Sequence, residues 1–175
     1  MAANTVKTVI GFLGTLARSA LPSWVVPARF EGIYNYRRIN DLLHTSGQPT
    51  AAQFALIRDR GFRTVINLAP HSAENALADQ DQVLGALGMR YIHIPVDFKA
   101  PTDADFDRFA DVMAAHGEEK LWVHCAANMR VSAFVFRYRR DRLGHDAADL
   151  QGDLDAIWAP FGAWKAFLAP RAPES

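Results

Sequence analysis

Short apolar runs alternate along this chain with longer segments in which apolar residues recur at helical spacing. Strands are predicted at 33–39, 43–46, 64–68, 91–96 and 120–124. Helices are predicted at 51–59, 72–87, 103–116, 131–142, 146–158 and 161–168. Because strands that alternate with helices usually form a parallel sheet covered on both faces, the pattern indicates an α/β fold with a mostly parallel sheet.

The N-terminal segment does not fit this alternation. An apolar run at 9–17 follows Lys7 and resembles a weak signal-peptide core, but its positive region is thin and it is too short to span a bilayer. We expect instead a helix over about 4 to 19 that docks on the domain or on a partner, before Pro22 and Pro27 break the chain. The predicted organisation is an N-terminal helical extension, 1–28, and one domain, 29–170.

Composition narrows the classes of partner. The 175 residues suffice for one domain, and Lys plus Arg number 19, as do Asp plus Glu, so the charge gives no reason to expect nucleic acid or an anionic membrane. Membrane association is not favoured, although the apolar N-terminal segment leaves it open. The single cysteine excludes an internal disulfide, which fits a cytoplasmic location, and no His or Cys spacing suits zinc. We expect no metal and no cofactor.

The single cysteine is the main chemical feature of the sequence. It lies in the run Leu-Trp-Val-His124-Cys125-Ala-Ala-Asn-Met-Arg130, in which a buried strand leads through small residues towards a helix. The helix dipole and the unpaired N–H groups at a helix start favour a thiolate and can hold an oxyanion, and Arg130 adds a planar pair of donors. A lone cysteine is commonly just a small buried apolar side chain. It is the surrounding pattern that predicts a nucleophile beside an anion site.

Three segments in this order resemble the dual-specificity and tyrosine phosphatases. They are Gly-Phe-Arg-Thr-Val-Ile-Asn-Leu at 61–68, Tyr-Ile-His-Ile-Pro-Val-Asp at 91–97, and Val-His-Cys at 123–125 followed by Arg130. The Ser-Gly-Gln-Pro segment at 46–49 is similar to one in the bacterial phosphatase-like group of that superfamily. The resemblance covers about residues 31 to 143, and it implies a four- to five-stranded, mostly parallel sheet flanked by helices.

The resemblance also implies roles for individual residues. Cys125 would attack phosphorus and form a phosphocysteine, and Asp97, 28 residues before it, would protonate the leaving oxygen and then activate water. Arg130 and the loop N–H groups would hold the phosphoryl oxygens. His124 and Ser132 would support the loop, with Ser132 either donating to the thiolate or simply lying in the helix. The loop residues in question are Ala126, Ala127, Asn128 and Met129. The implied partner is a phosphorylated protein or small molecule.

The loop departs from the phosphatase pattern in length. Four residues, rather than five, separate Cys125 from Arg130, Asn128 stands where a glycine is usual, and Val131 follows the arginine. Asn can adopt the left-handed conformation that a glycine would supply. The shorter spacing resembles that of rhodanese-type sulfurtransferases, so two alternatives remain beside phosphatase activity. One is sulfur transfer through a persulfide on Cys125, and the other is a phosphate-binding module with little or no catalysis.

Two further assignments are open at this stage. Asp103 and Asp105, in the first turn of a predicted helix, are rivals of Asp97 for the general acid. The basic run Arg-Tyr-Arg-Arg at 137–140 is typical of a solvated helix face, although it could instead attract anionic substrates.

Overall fold

Residues 3–19 and 32–170 are described by the computed structural model of this protein. The helices are α1 (Ala3–Ser19), α2 (Ala51–Asp59), α3 (Gln80–Ala86), α4 (Asp103–Ala115), α5 (Met129–Asp141), α6 (Ala147–Asp155) and α7 (Ala163–Leu168). The strands are β1 (Arg37–Arg38), β2 (Leu43–Ser46), β3 (Thr64–Asn67), β4 (Arg90–His93) and β5 (Leu121–His124). The predicted division between residues 28 and 29 lies outside the described residues.

The strands form one five-stranded sheet in the order β1-β2-β5-β3-β4. All neighbours are parallel except β1 and β2, which confirms the predicted mostly parallel α/β fold. Strand β5 is central, and its last residue, His124, is level with Ser46 of β2 and Asn67 of β3. The chain that follows β5 therefore leaves the middle of the carboxyl edge of the sheet, where α/β proteins bind ligands.

Burial explains why these short segments are strands. All four residues of β3 and of β5 are buried, as expected of parallel strands covered by helices on both faces. Trp122 and Val123 are completely buried in two different apolar clusters, one on each side of the sheet. The start of α2 follows from its sequence, because Thr50 and Gln53 form the capping box that their spacing predicts.

Several predicted elements are shorter than their sequences suggest: the strand predicted at 91–96 is Arg90–His93, the helix predicted at 146–158 is Ala147–Asp155, and two others are reduced more strongly. The strand predicted at 33–39 is reduced to Arg37–Arg38, and the helix predicted at 72–87 is reduced to Gln80–Ala86. Residues 71–78 form turns although they include several good helix formers, and the Asn75 side chain within them donates to a backbone carbonyl 51 residues away. Long-range contacts of this kind override local helix propensity.

The basic run on α5 is not a solvated face. Arg137 is 1% exposed, and its guanidinium carbon lies 4.3 Å and 4.5 Å from the ring centroids of Phe106 and Phe167. Its charge is balanced by Asp103 at 2.6 Å and Asp141 at 3.2 Å. The prediction was wrong because aromatic side chains of α4 and α7 pack over this position and hold the cation between their faces.

The predicted N-terminal helix is present as α1 and packs on the loops around the carboxyl edge. The backbone N–H of Ala159 donates to the Thr5 hydroxyl at 2.9 Å, and the Thr8 hydroxyl donates to the Ile157 carbonyl. The Asn4 side chain donates to the Asp155 carbonyl at 2.7 Å. These bonds tie α1 to the segment that joins α6 to α7. Among the described residues, no helix is both long enough and apolar enough to cross a bilayer.

Tyr34 connects α1 to the edge of the sheet. Its hydroxyl donates to the Thr8 carbonyl, and burial raises the pKa of Tyr34 to about 12, so the phenol stays protonated. A Cβ atom on Gly11 of α1 would lie 2.8 Å from this ring, and so would a Cβ on Gly47 after β2. The ring is thus held between two backbones that approach closely because both residues are glycines.

This close approach predicts the effect of a methyl group on Gly11. We expect Gly11→Ala to lower the free energy of unfolding by about 1–2 kcal/mol, because the clash with Tyr34 outweighs the gain in helix propensity. Gly152→Ala is the matched control, since Gly152 lies in α6 with nothing within 4 Å of its Cβ position, and it should stabilise by up to about 1 kcal/mol. Urea denaturation measures both, and equal stabilisation by the two variants would contradict the packing described.

Candidate active site

Cys125 lies directly after β5, beneath a cavity of about 280 Å³. The residue is 1% exposed, and its backbone N–H donates to the Ser46 carbonyl at 3.3 Å. The cavity is walled by α1, by the segment 70–74, by Phe98 and by the loop from Cys125 to Arg130. The structure therefore brings Cys125, Ala126, Ala127, Met129 and Arg130 together around one opening.

The loop carbonyls are held by neighbouring amide groups. The Ala126 carbonyl accepts from the Asn75 side chain at 2.9 Å and from the Gln48 backbone N–H at 3.3 Å. The Ala127 carbonyl accepts from the Asn35 side chain at 2.9 Å. In a trans peptide the N–H points opposite to the preceding carbonyl, so the N–H of Ala127 points away from Asn75 and Gln48.

Several N–H groups of this loop are left for a ligand. Within the described residues, the backbone N–H groups of Ala126, Ala127, Met129 and Arg130 donate to no protein acceptor. Those of Met129 and Arg130 belong to the first turn of α5, where N–H groups have no partner inside the helix. Buried N–H groups are seldom left unpaired in proteins, which suits a loop that binds an anion.

Asn128 adopts the left-handed conformation predicted for it, with a φ of 63°. Its side chain is completely buried and donates to the Asn35 carbonyl at 2.7 Å and to the Thr45 hydroxyl at 3.0 Å. Because Asn35 in turn donates to the Ala127 carbonyl, the two asparagines brace each other across the loop. Asn128 supplies the sharp turn that a glycine usually supplies, and a glycine could not form these bonds.

His124 is buried and neutral, and its ring is bonded to Gln80. Burial lowers the pKa of His124 to about 3, so the ring stays uncharged at neutral pH. Its Nε2 lies 2.9 Å from the side-chain nitrogen of Gln80, whose oxygen accepts from the Gln48 side chain at 2.9 Å. Since Gln80 uses its oxygen for Gln48, its NH₂ donates to Nε2, and the ring proton of His124 is on Nδ1.

Arg130 joins the cysteine loop to the loop after β4. Its Nε donates to the Val96 carbonyl at 3.0 Å, and its guanidinium lies 5.2 Å from the Phe98 ring centroid. Its two terminal nitrogens make no hydrogen bond or ion pair with the described residues. They form a planar fork of the kind that binds two oxygens of a phosphate.

The three candidate general acids are in different situations. Asp97 lies between the two residues that contact Arg130, but it is exposed, and its carboxylate accepts from the Lys99 N–H at 2.9 Å. Asp103 pairs with Arg137, and Asp105 accepts in the Thr102 capping box. Both rivals are thus engaged elsewhere, whereas a turn of the Asp97 side chain would free its carboxylate.

The structure shows one of the two roles left open for Ser132, and it adds a lining residue that the sequence did not single out. The Ser132 hydroxyl donates to the Met129 carbonyl at 3.0 Å and accepts from the Trp158 indole at 3.1 Å, so it lies in the helix rather than against the thiolate. Glu74 lines the cavity and was missed, because the helical pattern of 72–87 made it an ordinary surface residue.

Known proteins resemble this chain in sequence and in fold. The sequence model of the family described as DSP-PTPase phosphatase fused to NAD+ kinase matches residues 21–154. A beta-lactamase hydrolase-like protein of Agrobacterium fabrum is 35% identical over 96 residues, which are 53% of this chain and 22% of that protein. The chain thus spans about a fifth of the length of the curated relatives it matches.

Two solved structures are similar over most of the chain. A DUF442 protein of Shewanella putrefaciens CN-32 is 32% identical, with a TM-score of 0.72 over 79% of this chain and 88% of that one. P. aeruginosa TpbA is 24% identical, with a TM-score of 0.59 over 73% of this chain and 75% of its own. A structure of a cysteine-to-serine variant of TpbA in complex with pTyr has also been solved.

The brace on the Ala126 carbonyl can be tested at Asn75. Asn75→Asp replaces a donor by a carboxylate beside the loop, so we expect the affinity for inorganic phosphate to fall about 10-fold or more. Gln53→Glu is the matched control, because it makes the same amide-to-carboxylate change in the exposed cap of α2. Calorimetric titration gives both affinities, and an unchanged affinity in Asn75→Asp would show that this brace does not set the donor geometry.

Proposed function

Because the chain belongs to the family of phosphatases of the dual-specificity type described as fused to NAD+ kinase, we propose that it hydrolyses phosphomonoesters through a phosphocysteine on Cys125. The observation that carries the proposal is that Cys125 and Arg130 line one cavity where the central strand meets α5. The nucleophile, the clamp and the unpaired N–H groups come from one continuous loop. Family membership favours phosphate over sulfur transfer as the chemistry of this loop.

The reaction proceeds in two displacements. The Cys125 thiolate attacks phosphorus, an S–P bond forms, and the bond from phosphorus to the ester oxygen breaks. Asp97 donates a proton to that oxygen, so the alcohol leaves uncharged. Water then attacks the phosphocysteine and gives its proton to Asp97, and inorganic phosphate leaves as the S–P bond breaks. Arg130 and the loop N–H groups stabilise the charge on the transferred phosphoryl group in both steps.

Proximity to Arg130 supports Asp97 as the acid. Val96 and Phe98, on either side of it, both contact the arginine, so its backbone is fixed beside the phosphoryl site. Glu74 lines the same cavity as Arg130 and is the rival that the structure adds. The likeness to TpbA, whose complex with pTyr is known, supports a phosphorylated tyrosine as one class of substrate to be tested.

Substitution of the nucleophile tests the mechanism. Cys125→Ser should reduce hydrolysis of p-nitrophenyl phosphate by about 1,000-fold or more, because a serine hydroxyl at neutral pH is a far weaker nucleophile than a thiolate. Acid-quenched wild-type protein should carry one phosphoryl group on Cys125 by mass spectrometry. Retained activity in the variant would refute the proposal. One added sulfur on Cys125 after thiosulfate treatment, without ester hydrolysis, would assign the loop to sulfur transfer.

The leaving group distinguishes the two candidate acids. Asp97→Asn should reduce the rate about 100-fold for an alkyl phosphate and much less for p-nitrophenyl phosphate, whose leaving group needs no proton. Glu74→Gln is the matched carboxylate-to-amide variant in the cavity, and it should change both rates by less than about 10-fold. The rates follow from released phosphate, and the opposite ranking of the two variants would assign the acid to Glu74.

A further inference from the structure

The cavity above Cys125 has an apolar wall with a single cation. Arg130 is the only cationic residue and Glu74 the only acidic one among the described residues that line it. Val9 and Phe12 of α1 and Phe98 line the same opening. One arginine suits one phosphate group, and apolar walls suit an alcohol without charges. This composition does not suit a substrate that carries several phosphates.

An apolar surface continues from this wall along the outside of α1. Val9 lines the cavity and is also 47% exposed. Val6 and Ile10, which lie one helical turn apart on either side of it, are 40% and 63% exposed. The hydroxyls of Thr5 and Thr8 are turned towards the domain and bonded there. The outer surface formed by Val6, Val9 and Ile10, here called the α1 stripe, is therefore apolar.

A second apolar rim lies beside the cavity residue Phe98. Phe161 is 44% exposed, and its ring centroid lies 6.4 Å from that of Phe98. A phosphorylated peptide lying across these two rims would place its backbone N–H and C=O groups against side chains that offer no hydrogen bonds. A hydrocarbon chain has no such groups, so it fits both rims.

The charges of α1 suit a lipid surface. Its 17 residues include the exposed Lys7 and no acidic residue. A helix with an exposed apolar stripe and basic residues lies readily in the headgroup region of an anionic bilayer. Although the net charge of the whole chain is zero, the helix beside the cavity has no acidic side chain that would repel an anionic surface.

We propose that α1 docks on a bilayer surface through the α1 stripe and that the site hydrolyses a lipid phosphate monoester taken from that surface. This inference rests on the proposed phosphatase function and names its class of substrate. Water cleaves the bond between phosphorus and the lipid oxygen through the phosphocysteine, and the products are the lipid alcohol and inorganic phosphate.

The test compares esters with and without hydrocarbon chains. The whole chain is given phosphatidic acid in phosphatidylcholine vesicles, glycerol 3-phosphate, a phosphotyrosyl peptide and p-nitrophenyl phosphate. We expect kcat/KM for phosphatidic acid to exceed that for glycerol 3-phosphate by about 100-fold, because each buried methylene adds affinity. The kcat/KM for phosphatidic acid should also exceed the kcat/KM for the phosphotyrosyl peptide.

Substitutions in the α1 stripe form the second part of the experiment. The double variant Val6→Ser, Ile10→Ser should lower hydrolysis of phosphatidic acid about 10-fold and leave that of p-nitrophenyl phosphate unchanged, since neither residue lines the cavity. Leu143→Ser is the matched control, because Leu143 is 51% exposed at the far end of α5. It should change neither rate.

The outcomes separate this inference from the proposed function. Hydrolysis of p-nitrophenyl phosphate with no preference for phosphatidic acid, or with a preference that the double variant retains, would overturn the lipid assignment and leave the phosphatase function standing. A preference for the phosphotyrosyl peptide would overturn it in favour of a protein substrate. Failure of the folded protein to hydrolyse any of the four esters would overturn both.

Discussion

The loop between β5 and α5 has to satisfy its carbonyl oxygens while it leaves N–H groups unbonded, and the surrounding structure is arranged around this constraint. A short loop cannot bond its own carbonyls, so Asn35 and Asn75 reach in from distant parts of the chain to do so. This requirement explains why residues 71–78 form turns instead of extending α3, since Asn75 has to reach the Ala126 carbonyl. It also explains the long-range role of Asn35, which both supports the loop and accepts from Asn128.

The segment after β2 belongs to the same arrangement. Gly47 passes so close to the loop that a Cβ atom on it would lie 3.0 Å from the Ala126 carbonyl oxygen, and on its other side it contacts Tyr34. Gln48 then contributes its backbone N–H to the loop and its side chain to Gln80, which fixes the ring of His124. The Gly47-Gln48 segment, which looks like a simple turn in the sequence, thus contacts the loop after Cys125 on one side and Tyr34, which bonds to α1, on the other.

Much of the fold could be predicted from sequence because its signals are local. The buried strands β3 and β5, the capping box of α2 and the left-handed Asn128 all depend on residues close in the chain. The parts that could not be predicted depend on distant residues. One such part is the wall that α1 forms beside Cys125, and another is the pair of aromatic rings that encloses Arg137. These contacts leave no periodic pattern in the sequence, because the residues that meet are far apart in the chain. Glu74 was missed for the same reason, since only the tertiary structure turns its segment towards the cavity.

The asparagine braces carry a chemical consequence for the lifetime of the protein. Asparagine is among the residues that heat damages most readily, and hydrolysis of its amide leaves a carboxylate. At Asn35, Asn75 or Asn128, hydrolysis of the amide would replace a hydrogen-bond donor by a negative charge beside the proposed phosphate site. The residues that follow them are Tyr36, Ala76 and Met129, none of them glycine, so the backbone beside each amide is sterically shielded. Slow ageing of these amides would change the charge of the loop without breaking the backbone.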